Sequence, residues 1–171
     1  MQENVSTARV ALKYGVITAV VVIVYSTIIN VSGLAQNRAL ASLAFFILIG
    51  GIVWAMKDFR DQNGGFMTYG EGLGTGSLVA AIVGILAATF TMFYMEFIDT
   101  TIMQQSLDRA REEMEGRGLD DAQIDQAMAI SQKFMSPGIM FFTGVITYLI
   151  IGFIISLIVA AVMRKTRPVF E

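Results

Sequence analysis

Charge is missing from four long stretches of this chain. No Asp, Glu, Lys or Arg occurs from Tyr14 to Asn37, from Ala39 to Met56, from Gly72 to Met95, or from Phe134 to Met163. These stretches hold 24, 18, 24 and 30 residues. A helix rises about 1.5 Å per residue and the hydrocarbon layer of a bilayer is about 30 Å thick, so roughly 20 residues suffice to cross it. Within the stretches apolar residues occur on every side: Val20–Val24 and Ile150–Ile158 carry no polar stripe of the soluble amphipathic kind. The chain is 55% hydrophobic and 15% charged over 171 residues, whereas soluble domains run nearer a quarter charged. That much apolar surface calls for lipid as its solvent.

In lipid every backbone N–H and C=O must be paired within its own segment, so each stretch is expected to be a helix. The sequence therefore predicts an all-α fold: an integral membrane four-helix bundle in one membrane domain, residues 1–171. The spans are placed near 11–32, 39–56, 73–96 and 138–163. The first span follows Arg9 and Lys13 and ends at Gly33-Leu34-Ala35, a sequence that also fits a signal-peptidase site. Its apolar stretch is longer than a signal core, and a retained span is expected.

Basic residues near span ends favour the cytoplasm. Arg9, Lys13, Lys57, Arg60, Arg164, Lys165 and Arg167 fall on one side of this topology. Arg38, Arg109, Arg111, Arg117 and Lys133 fall on the other. Most of the second group lie far from a span end, so both termini are expected inside. Amphipathic rings favour the headgroup level, which puts Tyr14, Trp54 and Tyr69 at the inner interface and Tyr94 at the outer one.

Span three carries Gly72, Gly76, Ala80, Gly84 and Ala88 at every fourth position, with Gly70 and Gly74 beside them. Small residues on one face let another backbone approach closely. The face is read either as packing inside the monomer or as a seam with a second copy or a membrane protein partner. Span one offers Ala11, Gly15 and Ala19, and span four offers Gly152, Ser156 and Ala160. The string Gly70-Glu71-Gly72-Leu73-Gly74 is not a phosphate loop, because no strand precedes it and no Gly-Lys-Ser/Thr follows.

Between spans three and four, residues 100–136 form the one substantial polar segment. Met103, Leu107, Ala110 and Met114 share one helical spacing. Ile124, Met128, Ser131 and Met135 repeat it. Gly116-Arg117-Gly118 interrupts the pattern, and Asp120 with Gln123 forms a capping-box pair. An extramembrane hairpin of two short helices is expected, with Arg109–Glu113 and Arg111–Glu115 as pairs along the first. The surface of Met103, Leu107, Met114, Ile124 and Met128 either closes on itself, rests on the membrane, or docks a partner; methionine-rich surfaces repack easily.

Chemistry is sparse. The chain has no His and no Cys, which removes the commonest general base, the commonest metal ligand and the thiol nucleophile. No span has an Asp, Glu, Lys or Arg at mid-membrane. The mid-span hydroxyls, among them Ser77, Thr89, Thr91, Thr143 and Thr147, ordinarily bond their own backbone or a neighbour. Glu71, at the inner mouth of span three with Lys57 and Arg60 on the same side, is the candidate functional acid; Glu96 and Asp99 stand at the outer end. No enzymatic activity, cofactor or metal is expected. The net charge of −2 points to no nucleic-acid partner.

The approaches Phe66-Met67-Thr68-Tyr69-Gly70-Glu71-Gly72 and Lys133-Phe134-Met135-Ser136-Pro137, with Gly118-Leu119-Asp120-Asp121-Ala122-Gln123-Ile124 in the hairpin, resemble an uncharacterised membrane family, domain of unknown function 4199. The resemblance covers nearly the whole chain. It implies a bacterial inner-membrane home and carries no activity with it. The expected role is that of an inner-membrane interaction or scaffold protein, with the lipid bilayer and a second copy or a membrane protein as partners. The alternative is a small oligomeric channel or transporter.

Overall fold

The computed structural model describes residues 5–34, 37–134 and 136–166. Ala35, Met135 and Arg167, which figure in the sequence expectations, lie outside them. Six helices occur among the described residues: α1 (Thr7–Val31), α2 (Arg38–Gln62), α3 (Tyr69–Phe97), α4 (Thr101–Gly116), α5 (Asp121–Phe134) and α6 (Pro137–Met163). The fold is all-α, and α1, α2, α3 and α6 are long and apolar enough to cross a membrane. Their bounds follow the expected spans, with α2 the exception. The charges at Lys57 and Arg60 end its apolar stretch but not its helix, which runs on to Gln62 with Phe59 buried.

The chain divides into two compact units. One comprises Met1–Ala87 with Val145–Glu171; the other comprises Ala88–Gly144. In the first, α1, α2, most of α3 and most of α6 close on a core that includes Val22, Leu48, Ile52, Met56, Phe59, Val79 and Val83. The outward residues are also large and apolar: Val20, Val24, Phe46, Ile150, Phe153 and Ile158 are all exposed. A helix apolar on both its packed and its open faces suits lipid and not water.

Local sequence fixes where the helices stop and start. At the end of α1, Gly33 sits at φ +68°. Its N–H donates to the Asn30 carbonyl at 3.1 Å and that of Leu34 to the Ile29 carbonyl at 3.0 Å, a Schellman stop that favours glycine. Asn37 caps α2, its side-chain oxygen accepting from the Ala39 N–H at 3.0 Å.

In the second unit, α4 ends in the same way on Gly118 at φ +78°, with Leu119 N–H donating to the Met114 carbonyl at 3.3 Å. Asp120 then opens α5 as expected: Gln123 N–H donates to its carboxylate at 2.8 Å, and its own N–H donates to the Gln123 side chain at 3.3 Å. Tyr94 departs from expectation. It is only 7% exposed and packs beside Phe90, ring centroids 6.1 Å apart. Its ring is therefore packed against protein and not presented outward. Trp54 and Tyr69 remain exposed.

Candidate functional site

The small residues of α3 meet those of α6. A Cβ placed on Gly72 would lie 3.0 Å from the Ala160 methyl. On Gly76 it would collide with the Ser156 hydroxyl, and on Gly84 it would come within 2.9 Å of the Tyr148 Cβ. From the other side, a Cβ on Gly152 would collide with the Ala80 methyl. Each step of four along α3 is matched by a step of four back along α6, the pattern of two antiparallel helices in close contact. In the second unit, a Gly144 Cβ would stand 3.4 Å from the methyl of Ala88. The face formed by Gly72, Gly76, Ala80 and Gly84 is thus occupied by α6 of the same chain. Such proximity maximises dispersion between backbones, which drives helix association where lipid gives no hydrophobic force.

The other helices of this unit interlock by the same means. A Cβ on Gly15 would lie 2.8 Å from Ile82, and one on Gly51 would run into Thr18. Several polar side chains in these helices donate to backbone carbonyls, while the buried Ser77 hydroxyl has no partner among the described residues. Thr75 donates to the Glu71 carbonyl at 2.7 Å, Ser156 to the Gly152 carbonyl at 2.6 Å, and Tyr25 to the Leu40 carbonyl at 2.7 Å.

One end of this unit is tied together by polar contacts. Lys13 of α1 reaches Asp58 of α2 at 3.3 Å, and Gln62 donates to the same carboxylate at 2.9 Å. Arg60 donates to the Met163 carbonyl at 3.5 Å. Past α6, Lys165 pairs with Met67 in an antiparallel bridge, with N–H···O distances of 2.8 and 2.9 Å. These contacts bring the start of α1, the end of α2, the approach to α3 and the end of α6 to one place. The Lys13–Asp58 pair is open to water, which screens it and keeps it weak.

Glu71 has a structural task here. Its carboxylate accepts from the Thr68 N–H at 2.7 Å and the Thr68 hydroxyl at 2.8 Å, while Thr68 Oγ1 accepts from the Glu71 N–H at 3.3 Å. This is a capping box at the start of α3. The Thr68-x-x-Glu71 spacing is its sequence sign. Glu71→Gln keeps an acceptor in place and should leave thermal stability in detergent unchanged, whereas Thr68→Ala should cost about 1 kcal/mol. A loss with Glu71→Gln as large as with Glu71→Ala would show that the charge itself is needed.

The hairpin of α4 and α5 closes on itself. Ile124 is 1% exposed, and Met103, Leu107, Met114 and Met128 are each partly buried. Arg111 bridges the two helices, reaching Asp125 at 3.7 Å while also holding Glu115 at 3.3 Å. Glu113 takes Arg117 as its partner at 2.7 Å instead of the expected Arg109; Arg117, just past the last turn, also suits the negative helix end. No group of three Asp or Glu that could hold a metal ion occurs among the described residues.

A family model described as "Protein of unknown function (DUF4199)" matches residues 13–165. No curated protein and no solved structure matches the chain.

Proposed function

The chain belongs to the DUF4199 family of proteins of unknown function, and from that premise we propose that it is an inner-membrane interaction or scaffold protein whose working part is the α4–α5 hairpin. One observation carries this reading. A few residues would suffice to join two spans, yet the connection between α3 and α6 is a specified hairpin with a buried centre at Ile124, a Schellman turn, a capping box and an ion pair between its helices. Long connections with structure of their own are ordinarily functional. The outward faces of α4 and of the first turns of α5 are polar and charged, which suits recognition in water. No catalytic activity is assigned, and no described feature favours the channel or transporter reading.

The orientation proposed is both termini in the cytoplasm and the hairpin outside. Lys13, Arg60 and Lys165 meet at one end of the first unit, and basic residues at span ends favour the cytoplasmic face.

A photocrosslinking amino acid at Gln104 or Glu112, both exposed on α4, tests the role. In native membranes it should yield a discrete protein adduct. That adduct should vanish when Ile124→Ala opens the hairpin. Irradiated membranes that contain only uncrosslinked chain would remove the reading.

A further inference from the structure

We propose that the last two turns of α5 lie in the outer headgroup layer of the bilayer, held there by Ile130 and Phe134. The proposal rests on α6 being a membrane span. The hairpin uses one apolar stripe, with Ile124 at its centre, to close on itself. It leaves a second one open: Ile130 and Phe134, one turn apart on α5, are 51% and 65% exposed. A soluble partner, a second copy or lipid could in principle cover them, and their position in the chain favours lipid.

Phe134 stands three residues before Pro137, where α6 begins. Three residues span at most about 11 Å even when fully extended. The polar layer on each side of the hydrocarbon is about 5–8 Å thick. Phe134 is therefore confined to the neighbourhood of that layer, and Ile130 lies about 6 Å further along the helix. In the same unit Ile139 and Phe142, on the first turns of α6, are also exposed. Charge follows the same polarity. Exposed Lys133 lies between the two anchors, where lipid phosphates would be, while Asp121 and Asp125 stand at the far end of α5. A helix with apolar side chains in the headgroup region and a flanking cation is an ordinary interfacial arrangement.

The test uses the full chain in vesicles of mixed phosphatidylcholine and phosphatidylglycerol. The chain has a single Trp, so Trp54→Phe gives a dark background for Ile130→Trp or Phe134→Trp. Phe142→Trp in the same background reports the span, and Gln104→Trp reports the polar face of α4. With lipids brominated near the headgroup, the two α5 probes should be quenched about half as strongly as the Phe142→Trp probe or more. The Gln104→Trp probe should respond only to aqueous acrylamide. If the α5 probes behave like the Gln104→Trp probe while the Phe142→Trp probe is quenched by lipid, the anchor is overturned and the span stands. If the α5 probes are shielded from both quenchers, protein covers the face and the proposal fails. If the Phe142→Trp probe is also unquenched by lipid, the span itself is refuted and the anchor with it.

Discussion

Gly152→Ala should destabilise the first unit by about 1–3 kcal/mol, and adding Ala80→Gly should return most of that loss. The added methyl on Gly152 falls on the methyl of Ala80. Both belong to helices whose backbones are already in contact, so neither can swing aside as a long side chain would. Ala80→Gly alone vacates that space and puts a glycine into a helix interior, at a cost of about 1 kcal/mol. In the double variant one methyl still fills the gap, carried by the opposite helix. The two losses should therefore not add, and the coupling should fall within about 0.5–3 kcal/mol in favour of the pair. Thermal unfolding of the four proteins in one detergent gives the cycle. Additive losses would mean that the two positions do not touch. Gly76→Ile, which forces a branched side chain against Ser156 and Met56, should abolish the folded unit and has no such rescue.

The second large effect is expected in the hairpin. Ile124→Ala should open α4 and α5 while leaving the four long helices folded. Ile124 is the most buried side chain of α5, and truncating a buried Ile costs about 2–5 kcal/mol. Two helices of 16 and 14 residues have little reserve against such a loss. Hydrogen exchange across residues 101–134 should quicken at least about tenfold, with the spans unchanged. Ile130→Ala, on the open face, should alter exchange there by less than a factor of about three. Equal responses to the two substitutions would refute the assignment of inner and outer faces.

The helices were legible in the sequence because lipid imposes a simple rule: charge is absent for as long as the chain is in hydrocarbon. The rule marks spans better than helices, which is why Lys57 closed the expected second span while α2 continued to Gln62. The small residues of α3 were equally visible, but a stripe of glycine announces a close neighbour without naming it. Only the matching spacing of Gly144, Tyr148, Gly152, Ser156 and Ala160 on α6 identifies the partner, and that antiparallel register is a fact about two helices together. The local task of Glu71 was legible too, in the Thr-x-x-Glu spacing. A carboxylate beside basic residues suggests chemistry, while the hydroxyl three residues earlier, Thr68, accounts for it by local backbone bonding. Tyr94 was placed by its position in the chain, and its orientation into the second unit depends on neighbours that periodicity does not reveal. Ile130 and Phe134 share α5 with the stripe through Ile124, and which apolar face stays open depends on how α4 packs against it.

The topology is tested most directly by thiol accessibility, since the chain has no native cysteine to interfere. Single substitutions Gln62→Cys, Gln104→Cys and Ile150→Cys would be treated with a membrane-impermeant maleimide on spheroplasts and again after the membrane is permeabilised. Labelling at Gln104→Cys in intact spheroplasts, at Gln62→Cys only after permeabilisation, and at Ile150→Cys in neither condition is the predicted result. Ready labelling at Ile150→Cys in intact membranes, or labelling at Gln62→Cys and Gln104→Cys from the same side, would contradict the four-span arrangement.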